Sequence, residues 1–153
     1  MKRILTLSLI LCSTISFSQI EGTWKLADQA GALGVGPGQG DISWWSNSLP
    51  DVTTRACLFD DSITFDAMGN MTQYMDGATW IETWQGAAAE GCDVPVAPFD
   101  GMPASAYTYT HDAVAGTLTV NGLGAHLGLA KAFNGGELTN VIDAVSTITY
   151  IVA

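Results

Sequence analysis

The chain has 153 residues, 15 acidic side chains against 5 basic ones, and a formal charge of −10. That length fits one globular domain with room for a core, and 48% hydrophobic against 13% charged residues excludes a disordered chain. The acidic balance argues against a sequence-independent grip on nucleic acid or anionic lipid, both of which need clustered Lys and Arg.

Residues 1–18 read as a secretory signal peptide. Lys2 and Arg3 precede an apolar run from Ile4 to Cys12, and Ser16-Phe17-Ser18 puts small residues at −3 and −1 before Gln19. The run is too short to span a bilayer, which takes about 20 apolar residues, so no membrane insertion is expected. Leu11 before Cys12 disfavours lipidation, which wants a small residue there. Cleavage removes Lys2 and Arg3 but no acid, leaving a domain at 19–153 of 135 residues with charge −12. The protein is expected to be secreted, periplasmic or at the cell surface. In such an oxidising compartment the remaining cysteines, Cys57 and Cys92, are most simply a disulfide.

The domain reads as turns and short strands. Period-two alternation marks Ser62–Asp66, Tyr107–His111, Thr117–Val120 and Thr147–Tyr150 as half-buried antiparallel strands. Asp66–Asn70 and Asp112–Gly116 each open on an Asp that can bond its own following backbone, and each supplies a Gly, so each should close a hairpin. Met71–Met75 returns from the first, Thr117–Val120 from the second. Leu127–Phe133 or Leu138–Val145 could form a short helix. The class is all-β: an antiparallel meander forming a barrel or sandwich. Two segments rich in Gly, Pro, Asn and Asp, Ala30–Pro50 and Gly86–Ser105, exceed the usual loop length and are expected to be functional or mobile.

Five tryptophans follow the signal. Adjacent Trp44 and Trp45 point to opposite sides if extended, so one can be buried while the other reaches solvent or a ligand. Trp80 and Trp84 would share a strand face or lie one helical turn apart. Indoles beside polar side chains suit sugars, so Trp44, Trp45, Trp80 and Trp84, with Asp41, Asn47 and Glu82, form the candidate ligand surface; the bland alternative is that the indoles are core anchors. The glycine-rich Ala32–Gly40 lacks the Lys and helix start of a phosphate loop. Asp60, Asp61, Asp66, Asp76, Asp93 and Asp100 could supply oxygen ligands for calcium; otherwise no cofactor is expected. Catalytic signals are thin: His111 and His126 are the only histidines, and neither a nucleophile-elbow nor a zinc-protease motif occurs. Asp76, Glu82 and Glu90 would be the carboxylates of a glycosidase alternative.

Gly22-Thr23-Trp24-Lys25-Leu26, following the signal and preceding the meander, resembles the Gly-x-Trp opening of lipocalin-like domains. Residues 22–138 are similar to an uncharacterised lipocalin-like module of secreted bacterial proteins, through Gly22–Ala27, Gly31–Asn47, Thr53–Asp61, Gly91–Pro98 and Gly116–Leu138. The resemblance implies a non-catalytic binding module beside carbohydrate-active or adhesive proteins, with a glycan as favoured ligand and a small apolar molecule as alternative. It also implies a further hairpin after Thr147–Tyr150. A barrel without that hairpin would leave the C-terminal strand edge open to a partner or to self-association.

Overall fold

The computed structural model describes residues 20–38 and 40–152; the expected signal peptide lies outside them. In chain order the elements are β1 (Gly22–Trp24), β2 (Gly34–Val35), β3 (Trp45–Ser46), α1 (Leu49–Thr54), α2 (Ala56–Phe59), β4 (Ser62–Phe65), β5 (Met71–Tyr74), β6 (Thr79–Ile81), β7 (Gly91–Asp93), β8 (Thr108–Asp112), β9 (Thr117–Asn121), β10 (Ala132–Phe133), β11 (Gly136–Glu137) and β12 (Thr147–Ile151). Every pairing among them is antiparallel.

Two three-stranded sheets, β1-β4-β5 and β8-β9-β12, carry the architecture. They are stitched together where the Met71 N–H donates to the Tyr107 carbonyl at 3.1 Å and the Tyr109 N–H to the Gly69 carbonyl at 2.8 Å. The result is one ribbon in the order β1-β4-β5-β8-β9-β12, the all-β meander expected from the alternating segments. Among the described residues no pairing joins β1 to β12, so the ribbon they form does not close into a barrel. The pairs β2-β3, β6-β7 and β10-β11 are insertions between its strands.

The hairpins form as their turn chemistry requires. The Asp66 carboxylate accepts from the N–H groups of Met68 and Asn70, both at 2.8 Å, and from the Asn70 amide at 2.7 Å. The Asp112 carboxylate accepts from Val114 and Ala115 N–H, both at 2.9 Å. Register then decides which side chains face inward. Phe65 opposes Met71, and Tyr109 and Ile148 both oppose Val120. These residues, with Tyr107, Leu118 and Ala125, form the buried cluster. Phe65 meets Tyr109 edge-on with centroids 4.8 Å apart, and the Tyr109 hydroxyl donates to the Asp66 carbonyl at 2.7 Å, so the ring brings its polar tip a partner.

Two expectations need correction. Leu127–Phe133 is not helical, and Leu138–Val145 holds only a single 3-10 turn, Val141–Asp143. The helices stand instead at α1 and α2, where Ser48 caps the first. Its side chain and the Asp51 carboxylate satisfy each other's backbone N–H groups, and Pro50 sits in the first turn.

The outer edge of β12 carries a device absent from the sequence reading. Thr149 stands opposite Thr119, and the two hydroxyls are 2.9 Å apart. The backbone of Thr149 instead faces Asn134, in the β10-β11 turn. The Asn134 amide donates to the Thr149 carbonyl at 2.7 Å and accepts from its N–H at 2.8 Å, doing what a neighbouring strand would do. Asn134→Ala is expected to cost about 1 kcal/mol and to uncover the edge, so light scattering should detect self-association at concentrations where the parent protein remains a monomer. Unchanged stability and unchanged association would show that the amide is dispensable.

Candidate functional site

The sheet's inner face is packed solid at one end and hollow at the other. The register of Ile63 with Gln73 and of Phe65 with Met71 puts Asp61, Ile63 and Phe65 on the same side as Met71, Gln73 and Met75. Trp24 opposes Ile63 from β1 and shares this side. Beyond Phe65 and Leu118 the core gives way to a cavity of about 400 Å³, within the roughly 300–1,000 Å³ common for small-molecule sites. Its apolar wall includes Trp24, Ile63, Phe65, Met75, Leu127 and Val152. Residues in or adjoining the two end strands of the ribbon, β1 and β12, therefore border the same space. Trp24 is 49% exposed, so the cavity communicates with solvent on this side.

Two loop elements cover the hollow end. Leu58 of α2 lines it. α2 itself is pinned by the Cys57–Cys92 disulfide, with Cα atoms 5.9 Å apart, to the β6-β7 hairpin, where Cys92 pairs with Trp80. The second cover is the segment carrying His126 and Leu127, which enters through a tight turn at Gly124. Gly124 has φ +82°, and a Cβ there would collide with the Pro98 carbonyl, so only glycine lets the chain pass.

The polar groups on this wall are few. Asp61 accepts a hydrogen bond from the Thr79 hydroxyl through Oδ2 at 2.6 Å, while its Oδ1 is buried without a partner. Burial pushes the Asp61 carboxyl up to about 7, against the Thr79 bond and with help from the neighbouring Asp60 charge. Gln73 is 8% exposed. Its amide nitrogen donates to the His126 carbonyl at 3.0 Å, which fixes the amide orientation and leaves Oε1 unpartnered. His126 Nδ1 lies 2.8 Å from the Gly124 carbonyl, an acceptor only, so Nδ1 carries the proton. Burial, opposed by that bond, holds the imidazole below its usual range and neutral.

The residues expected at a sugar site are placed differently. Trp44 is 70% exposed. Asp41 accepts from the Ser43 N–H at 2.8 Å, and hydrogen bonding from Ser43, side chain and backbone, lowers its carboxyl. Asn47 is 1% exposed, and both ends of its amide are used: Oδ1 accepts from Leu33 N–H and Nδ2 donates to the Gln29 carbonyl, each at 2.8 Å. Asn47 is therefore the peg on which the 29–35 loop is wound. Trp45 and Trp80 both take the Arg55 guanidinium over their rings, at 5.0 and 4.4 Å, an arrangement that holds the start of α2. Trp84 lies on the 3-10 turn Thr83–Gln85 rather than on a strand with Trp80 or one helical turn from it. There it packs edge-on against Phe99 at 5.3 Å and donates to the Glu82 carboxylate at 2.7 Å. Trp80, Glu82 and Trp84 do border a common crevice, but its volume is about 20 Å³. That is room for about one water and none for a sugar ring.

Among the described residues no group of three or more His, Cys, Asp or Glu is arranged to hold a metal ion. Three of the six acids expected for calcium accept from nearby backbone: Asp66 as above, Asp93 from the Val94 N–H at 2.7 Å and Asp100 from the Met102 N–H at 3.2 Å. Of the glycosidase candidates, Asp76 accepts from the Tyr74 hydroxyl at 2.8 Å, Glu82 faces Lys131 at 3.9 Å, and Glu90 is exposed. Among the described residues no helix is long and apolar enough to cross a membrane.

The sequence reading missed the cavity, Asp61 as its wall carboxyl, Gln73 and His126. A signal for Gln73 was present: Met71-x-Gln73-x-Met75 puts one polar residue on an otherwise apolar strand face. Comparison with known proteins found no matching family model, no matching curated protein and no matching solved structure.

Proposed function

We propose that this protein is an exported, non-catalytic binding module of lipocalin-like design, and that it carries a small, largely apolar molecule in the cavity between β1 and β12. The carrying observation is the apolar hollow of about 400 Å³ at the open end of an otherwise packed sheet. An apolar space of that size open to solvent is costly unless a ligand supplies the missing contacts. The Gly22-Thr23-Trp24 opening fits the same design, since Trp24 reaches the cavity wall. The disulfide and the acidic surface suit a secreted or cell-surface protein, and the shortage of Lys and Arg speaks against nucleic-acid partners. A glycan reading rests on Trp44 alone, because the other indoles are engaged by Arg55, Phe99 and Glu82.

The test is titration with Nile red, a neutral fluorophore that brightens in apolar surroundings. Binding is expected at one site per chain, weakened at least tenfold by Ile63→Trp, which fills the cavity, and unchanged by Trp44→Ala on the remote loop. No saturable binding, or binding indifferent to Ile63→Trp, would end the carrier reading. Retention on a glycan array that Trp44→Ala abolishes would replace it with the glycan reading.

A further inference from the structure

The cavity wall is unbalanced in its hydrogen-bonding chemistry. Most of its donors are committed: Trp24 Nε1 to the Ile20 carbonyl at 2.8 Å and the Tyr74 hydroxyl to Asp76 at 2.8 Å, while Lys25 Nζ gives one of its three N–H groups to the Asp60 carbonyl at 2.6 Å. The Gln73 amide nitrogen is likewise spent on the His126 carbonyl at 3.0 Å. Ser62, the remaining hydroxyl on the wall, can accept as well as donate. The acceptors are in the opposite state. Asp61 Oδ1 and Gln73 Oε1 are buried without partners.

Asp61 and Gln73 are near neighbours on adjacent strands. Gln73 opposes Ile63, and Asp61 lies two residues before Ile63 on the same face, so the pair is diagonal at roughly 7–8 Å between backbones. Both residues line the cavity, and their unpartnered oxygens are buried in its wall. Leaving such oxygens unpaired in an apolar wall is costly, and a ligand that supplies donors recovers that cost. We propose that the ligand carried here has an apolar body and a hydrogen-bond-donating cationic head, a hydrophobic primary amine, received by Asp61 and Gln73.

An ammonium suits this wall better than a hydroxyl because it brings three donors and also a charge opposite to that of Asp61. Among the described residues the one cation lining the cavity, Lys25, is directed to the Asp60 carbonyl on an exposed residue. The chain's large excess of acids draws cations rather than anions toward the site. A fatty acid would meet the reverse: its carboxylate would face unpaired acceptors and a carboxyl group.

This inference rests on the carrier reading and is tested by competition against bound Nile red at pH 7.5, with decylamine, decanol and decanoate below their aggregation concentrations. Decylamine is expected to displace the dye at a concentration at least tenfold below decanol, with decanoate weakest. In Asp61→Asn the preference for decylamine over decanol should shrink to within about threefold, a ratio that a general loosening of the cavity would not move. Should Asp61→Asn fail to fold, the ranking in the parent protein still decides. Decanoate matching or surpassing decylamine, or a preference that survives Asp61→Asn, overturns the amine assignment while dye binding keeps the carrier reading. Absence of dye binding overturns both.

Discussion

Replacing both cysteines, as Cys57→Ala/Cys92→Ala, is expected to lower the free energy of unfolding by about 4 kcal/mol and to abolish high-affinity dye binding. The first figure follows from chain entropy: the bridge joins residues 35 apart in sequence, and closing a loop of that size in the unfolded chain removes about 4 kcal/mol of freedom. For a domain whose total stability is about 5–15 kcal/mol that is a large fraction. The second effect follows from what the bridge holds. α2 is four residues long, too short to persist by itself, yet Leu58 on it lines the cavity. Two attachments keep it there, the disulfide to β7 and the stacking of Arg55 between Trp45 and Trp80. Without the bridge the cover depends on the stacking, worth about 0.5–2 kcal/mol per contact, and on the burial of Leu58 and Phe59. Urea unfolding and dye titration of the double variant check both parts. A loss below about 1 kcal/mol with full dye binding would mean that α2 is held by packing without help from the bridge.

Asp61→Asn is expected to stabilise the protein at pH 8 and to leave it nearly unchanged at pH 4. The carboxyl is pushed up to about 7 in the folded state, against about 3.9 in an unfolded chain. Between those values the folded protein retains a proton that the unfolded chain has released. The stability due to Asp61 is therefore fully present below about pH 4, falls as pH rises toward 7, and levels off above it. The groups acting on it are the Thr79 hydroxyl, which favours the charged form, Asp60, which opposes it, and Lys25, which favours it weakly. Because Asp61 is only partly buried, solvent screening reduces the gain at pH 8 to about 1–2 kcal/mol. Asn keeps an acceptor for Thr79 and cannot ionise, so the melting temperature of the variant should exceed that of the parent above pH 7 and converge with it in acid. Equal melting temperatures at pH 8, or a difference independent of pH, would contradict the burial of this carboxyl in an apolar wall.

Much of the ribbon was legible because local pattern and turn chemistry agree. At Ser62–Phe65 and Thr117–Val120 the alternation names the buried face, and Asp66 and Asp112 name the turns between strands. The disulfide was legible from cysteine count and the expected signal peptide. The helices were not, since Pro50 reads as loop punctuation until the reciprocal bonds of Ser48 and Asp51 make it the first turn of a helix. The candidate ligand surface was read from composition. Tryptophan beside acids and amides is the pattern of a sugar site, but it is equally the pattern of Arg55 stacking on Trp45 and Trp80, and nothing local separates the two. The cavity is a non-local product: it arises where Trp24, Asp61, Gln73, His126 and Val152, spread over most of the chain, meet at the open end of the sheet. Register makes that meeting, and register is set by pairings that the segments do not reveal one at a time.

The most direct test of the cavity as the ligand site is an NMR measurement on the protein with bound Nile red, recording intermolecular nuclear Overhauser effects to assigned methyl groups. Contacts are expected to Ile63, Met75, Leu127 and Val152, with none to the exposed 41–44 loop that carries Trp44. Contacts confined to that loop, with the Ile63 and Leu127 methyls silent, would contradict it.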